Sequence, residues 1–247
     1  MSISVPSARA EEARAQMLEL FPRGFEEIES DGDVELVAYT DAGGEERLWK
    51  MFGGTRAEDV AEDWEDRWRS FHRPVRVGEL WIGPPWEQAP AGALTVVIDP
   101  GRAFGTGGHA TTRLCLELLA ELPRGSLLDV GCGSGVLSIA AARLGYRPVI
   151  GVDVEEAAVE ATRANAAANG VSVEARLIDA SAAELPPVDV AVANISLADV
   201  ERLELEAERV VTSGYLASER ASLPGFRPVD RREAEGWAAD LHLRESV

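Results

Sequence analysis

Only two cysteines occur in the 247 residues, Cys115 and Cys132, and they form neither a CxxC pair nor a disulfide framework. Histidine is nearly as scarce. His72, His109 and His242 stand far apart with no zinc-ligand spacing such as HExxH, so no metal site is expected. No stretch approaches the roughly 18–20 apolar residues that span a bilayer. The start, Met1-Ser-Ile-Ser-Val-Pro6, lacks the basic region and apolar core of a secretory signal, so the chain is expected in the cytoplasm and away from membranes. Basic residues are also short: 24 against 43 acidic ones, a net charge of −19. Such a field repels phosphate backbones, which argues against direct nucleic-acid binding, and draws basic partners such as a basic protein substrate. The same charge also serves plain solubility. What remains is ordinary globular composition, 46% apolar and 27% charged, in a chain long enough for a small domain joined to a medium one.

Two regions separate. In the first, Ile3–Val5 is a short strand candidate, and residues 8–20 place Ala10, Ala13, Met17 and Leu20 near helical spacing. Phe25–Glu29 and Val34–Tyr39 flank an Asp-Gly turn at 31–32, a hairpin signal. A further extended segment is expected at 45–51. Thr55 and Glu58 make a capping box for a helix whose Val60, Trp64, Trp68 and Phe71 form one apolar stripe. These features define a small α+β domain over residues 1–73. Residues 74–92, dense in proline and glycine, are expected to connect it to the rest, with a short strand at Glu79–Ile82. From 93 to 247 the pattern is α/β. Apolar runs at 94–98, 127–130, 148–152 and 188–193 alternate with helical patterns at 110–121, 135–144, 155–169 and 198–210, which implies a mostly parallel sheet with helices on both faces. In the tail, Trp237, Ala239, Leu241 and Leu243 recur at period two, as in an antiparallel hairpin that ends the sheet.

The chemistry is concentrated after the run Leu127–Val130, where Gly131, Gly133 and Gly135 lie between a strand and a helix. Glycines here let the chain turn sharply and let a ligand approach, and the amides of the helix start favour an anion. The dinucleotide fingerprint G-x-G-x-x-G would need glycine at 136, where Val136 stands. The observed G-x-G-x-G spacing resembles the form in class I methyltransferases, whose S-adenosylmethionine has no pyrophosphate. Asp153 ends the next apolar strand, 22 residues after Gly131, where a carboxylate accepts both ribose hydroxyls. NAD sites use the same device, so an oxidoreductase remains an alternative at this point. Asp129, on the strand before the loop, is a candidate for the amino group of the methionine moiety. Asp179, at the end of a third candidate strand, is a candidate for the adenine or a simple strand-end cap.

Upstream lies a second motif, Pro100-Gly-Arg-Ala-Phe-Gly-Thr-Gly-Gly-His-Ala-Thr-Thr112, too glycine-rich for a regular element until its His-Ala-Thr-Thr end, which suits a helix start. This motif, with Asp129-x-Gly-Cys-Gly-Ser-Gly-x-Leu137, Gly151-Val-Asp153, Asn165-x-x-x-Asn-Gly170, Val192-Ala-Asn-Ile195, Trp64-x-x-x-Trp-Arg69 and Pro-Pro-Trp86, resembles the PrmA family, methyltransferases of the eleventh large-subunit ribosomal protein. The resemblance covers most of the chain. It implies a class I methyltransferase, Rossmann-like, with a small ferredoxin-like N-terminal domain for substrate recognition. It implies Thr112, Gly131, Asp153 and Asn194 at cofactor-binding positions, with Gly133, Asp129 and Asp179 around them. Its implied reaction is methylation of lysine side chains and an N-terminal amine on a basic ribosomal protein by a monomer. A small-molecule methyltransferase and a non-catalytic binding module are the alternatives. Two departures stand out: the stretch between Tyr215 and Gly225 leaves no room for the helix expected there, and Ser213-Gly-Tyr-Leu216 replaces the family's serine–glycine–isoleucine–leucine.

Methyl transfer is an in-line displacement on an already activated donor, so alignment dominates. Asn194, after the strand Val188–Ala193, falls at the carboxyl edge of the sheet, where open α/β sheets bind ligands. Its amide oxygen is the candidate catalytic group, orienting the amine without holding it charged.

Overall fold

The computed structural model describes residues 2–6, 9, 13, 16–17, 20, 26–30, 33–38, 48, 51–52, 73–99 and 107–245. By its internal contacts the chain divides into two compact units, Met1–Glu65 and Asp66–Val247.

In the first unit, β1 (Ser2–Pro6), β2 (Glu26–Ser30) and β3 (Asp33–Val37) form an antiparallel sheet in the order β1-β3-β2. Ser30 faces Asp33 across the turn, the register the Asp-Gly pair implies. Alternation buries Val34 and Leu36 on one face, against Ile3, Ala13, Met17, Ala38 and Leu48. Within the segment expected to be extended, 45–51, the described residues Leu48 and Met51 are helical, as is Phe52. The run is short, and helix and strand readings of such runs compete closely. The helix expected after Thr55, with Trp64 and Trp68, lies outside the described residues.

The second unit is built on a seven-stranded sheet. Its strands are β7 (Leu127–Val130), β8 (Val149–Asp153), β9 (Glu174–Leu177), β10 (Val188–Asn194), β11 (Ala207–Leu216), β12 (Phe226–Ala234) and β13 (Trp237–Arg244), ordered β12-β13-β11-β10-β7-β8-β9. β7 to β11 are parallel, and β13 and β12 add antiparallel as the hairpin expected from the tail. Burial on both faces explains the near-continuous apolar runs. Leu127, Val149, Val190, Val192 and Val211 join the cluster on one face, and Leu128, Val130, Ile150, Val152, Ala191, Ala193 and Val210 join the other.

Helices α1 (Ala110–Glu121), α2 (Val136–Leu144) and α3 (Glu156–Ala168) fall where the helical spacing places them. α2 is apolar almost all round, and its residues from Val136 to Ala142 are buried. The helix expected over 198–210 is much shorter. It is one capped turn, α4 (Leu197–Val200), and the chain is in β11 from Ala207. Leu203, Leu205 and Ala207 are buried at period two, and the β-branched pair Val210–Val211 suits a strand buried on both sides.

The 94–98 run was expected in the main sheet. As β6 (Leu94–Val97) it instead forms a separate three-stranded sheet with β4 (Val75–Val77) and β5 (Leu80–Gly83). Leu80, Ile82, Val96 and Ile98 are buried in the α1–α2 cluster, so much of the segment expected as a connection, 74–92, packs onto this unit's core. No helix among the described residues is long and apolar enough to cross a membrane.

Candidate active site

Because β7 to β11 are parallel, their carboxyl ends share one edge, and antiparallel β13 begins at the same edge with Trp237. A cavity of about 1220 Å³ runs along it, lined by Asp153 at the end of β8, Asp179 after β9, the glycine loop after β7, Asn194 at the end of β10, Gly214 in β11 and Trp237. The α1 start contributes His109 and Thr112. From β9 to β13 the wall spans five strand spacings, roughly 24 Å, enough for a nucleoside at one end and an acceptor group at the other.

The cavity gathers Thr112, Gly131, Gly133, Asp153, Asp179 and Asn194 from segments far apart in sequence. Gly131 turns away from β7 at φ 72°, and a Cβ there would meet the Ile195 side chain at 2.4 Å, so only glycine lets the loops after β7 and β10 close together. Asp153 is fixed by two amides: Gly133 N–H donates to Oδ2 at 2.9 Å and Glu155 N–H to Oδ1 at 3.0 Å. The carboxylate is thereby oriented at the strand end with lone pairs to spare, since each oxygen accepts more than one bond. Asp179 accepts from Ser181 Oγ–H at 2.6 Å and from its N–H at 3.0 Å; these bonds hold its carboxyl below the usual range, and it both caps a turn and faces the cavity. Asn194 donates from Nδ2 to Thr112 Oγ1 at 3.4 Å, which leaves its carbonyl oxygen as the acceptor.

Asp129 differs from its expected place. It is 1% exposed and is not part of the cavity wall. Ser138 donates to its Oδ2 from N at 3.0 Å and from Oγ at 2.6 Å, so the anion that the α2 start receives is this chain's own carboxylate. Its Oδ1 is buried with no hydrogen-bond partner. Burial pushes the Asp129 carboxyl up to about 6, against the lowering effect of the Ser138 bonds and with repulsion from Asp153 adding to the rise. A raised carboxyl pKa means that ionising it costs the folded state stability as pH climbs from its unfolded value toward 6. Asp129→Asn removes that cost. The stability of the wild type relative to this variant is therefore expected to fall by on the order of 2–3 kcal/mol between pH 4 and 7. Urea unfolding of the cofactor-free proteins at the two pH values checks this; a pH-independent difference contradicts it.

Several residues on or behind the wall were not singled out by sequence. His109 caps α1, accepting from Thr111 N–H at Nδ1, and its ring meets Trp237 edge-on with centroids 4.9 Å apart. Trp237 comes from a strand whose regular alternation gives no sign of a ligand. Asn165 and Asn169, quoted above only as part of a motif, do structural work. Asn165 Nδ2 donates to Ser134 O in the glycine loop, and Asn169 exchanges two bonds with the backbone of Val97. They tie α3 to the loop and to β6. Phe104–Thr106 lie outside the described residues. Among the described residues no group of three histidines, cysteines or carboxylates is placed to hold a metal ion.

The donor set fits S-adenosylmethionine. A fixed carboxylate suits the ribose diol, and at the α2 start the Ser138 amide is already taken by Asp129.

The family model for ribosomal protein L11 methyltransferase (PrmA) matches residues 25–218. A ribosomal protein L11 methyltransferase of Symbiobacterium thermophilum is 40% identical over 201 residues, 74% of this chain and 66% of that protein. One from Polynucleobacter necessarius subsp. necessarius is 36% identical over 238 residues, 87% of this chain and 72% of that protein. The chain thus spans just under two thirds of the length of the first of these relatives. Among solved structures, the ribosomal protein L11 methylase of Lactobacillus delbrueckii subsp. bulgaricus superposes with a TM-score of 0.59 at 28% identity, covering 71% of this chain and 100% of that one.

Proposed function

The chain belongs to the ribosomal protein L11 methyltransferase family, PrmA, and from that membership we propose that it transfers methyl groups from S-adenosylmethionine to amino groups of ribosomal protein L11. The observation that carries this reading is the single cavity with a cofactor-type carboxylate, Asp153, toward one end and a paired Asn194–Thr112 toward the other.

Bound S-adenosylmethionine supplies a methyl group already activated by a sulfonium. In the proposed site Asp153 accepts from the ribose hydroxyls, Asp179 faces the adenine, and Gly131 and Gly133 let the backbone approach the methionine moiety. Asp129 acts from behind, by fixing the loop and the α2 start. Asn194 is the catalytic group. Its Oδ1 accepts a hydrogen bond from the acceptor amine and aims the lone pair, while Thr112 holds the amide in that orientation.

Only a neutral amine attacks, and lysine, at about 10.4, is harder to deprotonate than an α-amine at about 7.7–8. A neutral acceptor leaves that balance undisturbed, and partial desolvation in the cavity moves it toward the free base. The N-terminal residues 1–73 are assigned to substrate recognition, and 93–247, with much of 74–92 packed on its core, to catalysis. The charge of −19 suits a basic ribosomal protein, and we place the reaction in the cytoplasm, carried out by a monomer without nucleic acid.

The test is incubation with methyl-labelled S-adenosylmethionine and total ribosomal protein from cells lacking this modification. Label is expected in L11 alone. Label on small molecules or nowhere sinks the substrate assignment.

A further inference from the structure

The stretch after β11 has no helix, and residues 217–225 cross directly to β12. At the same place Tyr215 stands inside the sheet, 2% exposed, where an aliphatic residue would need no partner. Its hydroxyl lies 2.8 Å from Asp240 Oδ2 and 2.7 Å from Thr212 Oγ1, and Thr212 Oγ1 lies 3.0 Å from His242 Nε2. Arg231 donates to the same Asp240 oxygen at 2.7 Å, and also to the carbonyls of Ala217 and Glu219 at 2.7 and 3.0 Å.

The proton directions follow from the donors. Asp240 is 3% exposed and pairs with an arginine, so its carboxylate accepts from the tyrosine. The tyrosine oxygen then accepts from Thr212, and Thr212 accepts from His242 Nε2–H. This leaves His242 Nδ1 as the unprotonated nitrogen, and that atom is the one buried without a partner. One direction thus pairs every link from His242 Nε2 to Arg231, and such a chain holds β11, β12, β13 and the start of the short connection in one register.

This network abuts the cavity. Gly214, next to Tyr215, lines it, and so does Trp237, which pairs with Leu216 across the strands. The β11 register shifts between Ser213 and Tyr215, with Gly214 at φ 101°, and a Cβ on Gly214 would stand 2.0 Å from the Ile195 carbonyl oxygen. Ile195 follows Asn194. Any slip of Tyr215 therefore reaches Trp237 across the ladder and Asn194 through Ile195. Asp153 and Asp179 lie beyond β10 and β7, on the far side of the sheet edge.

We infer that Tyr215 is a positioning residue: through Thr212, Asp240 and Arg231 it holds the Gly214–Trp237 end of the cavity, where the acceptor enters, in place of the helix that is missing after β11. The inference rests on the proposed methyl transfer to L11. Tyr215→Phe, which keeps the ring, and Thr212→Val, which keeps the shape, are compared with wild type.

In both variants kcat/KM for L11 is expected to fall about tenfold, as misplacement without loss of chemistry does. The Kd for S-adenosylhomocysteine should stay within about twofold, since the cofactor end is untouched. Amide hydrogen exchange at 213–216 and 237–239 is expected to speed up, and exchange at 131–135 to stay the same. A lowered Tm with unchanged kcat/KM, a parallel loss of cofactor affinity, or unchanged exchange at 213–216 overturns the inference. A wild type that leaves L11 unmodified instead refutes the proposed function, and the exchange measurement still decides the positioning role.

Discussion

Replacing Asp153 by alanine is expected to weaken S-adenosylmethionine binding by about 10²–10⁴-fold while the fold survives. The magnitude follows from two hydrogen bonds from the ribose hydroxyls to a charged acceptor, each contributing about 1.5–3 kcal/mol. Asp153 is held on both oxygens by backbone amides of the loops around it, Gly133 N–H on one and Glu155 N–H on the other. Its geometry is therefore set before the ligand arrives, and little ordering cost offsets the gain. The fold does not depend on it, because β8 is anchored by Val149, Ile150 and Val152 in the two sheet-face clusters. Asp153→Asn should fall between, since an amide keeps one acceptor and presents a donor to the second hydroxyl. Calorimetric titration of both variants with S-adenosylhomocysteine checks this. A Kd for Asp153→Ala within severalfold of wild type would sink the assignment.

The second large effect is expected at Asn194. Asn194→Ala removes the acceptor proposed to aim the amine, and kcat/KM for L11 should fall by about 10²-fold or more, the scale of lost alignment at a reacting centre. The side chain donates to Thr112 and the residue lines the cavity, so the expected loss is of orientation rather than of packing. Asn194→Asp gives a sharper test because it is isosteric. A carboxylate beside the amine favours the ammonium, so the pH at which activity reaches half its maximum should move upward. Measuring rate against pH for the two variants separates the cases. An unshifted profile in Asn194→Asp with wild-type rates would show that the residue does not face the amine.

The parallel core was legible because burial on both faces writes long apolar runs, as in Leu127–Val130 and Val188–Ala193, and because glycines mark the one tight turn after β7. β11 was not. Its start follows a Leu-x-Leu-x-Ala alternation after a helix-capping serine, so helix and strand patterns overlap over ten residues, and only packing between β10 and β13 decides for the strand.

The placement of Asp153 and Asn194 on the cavity was legible because each closes a strand and the edge of a parallel sheet is where ligands bind. Asp129 has the same residue type and a similar position, but sequence carries no sign of which way a carboxylate turns. It turned toward Ser138 and the α2 start. Trp237 reaches the cavity only because an antiparallel strand begins where the parallel ones end, a consequence of topology that no local pattern records. Tyr215 was visible as a departure from a family pattern, but its partner Asp240, and His242 behind Thr212, lie across the ladder and could not be paired with it from the chain alone.

The central claim is that this cavity moves methyl groups from S-adenosylmethionine onto amines of ribosomal protein L11. Intact-mass spectrometry of purified, unmethylated L11 after incubation with the protein and S-adenosylmethionine tests it most directly. The expected result is L11 shifted upward by whole methyl increments, with the shift abolished by Asp153→Ala and strongly slowed by Asn194→Ala. L11 of unchanged mass, from a protein that binds S-adenosylmethionine normally, would contradict it.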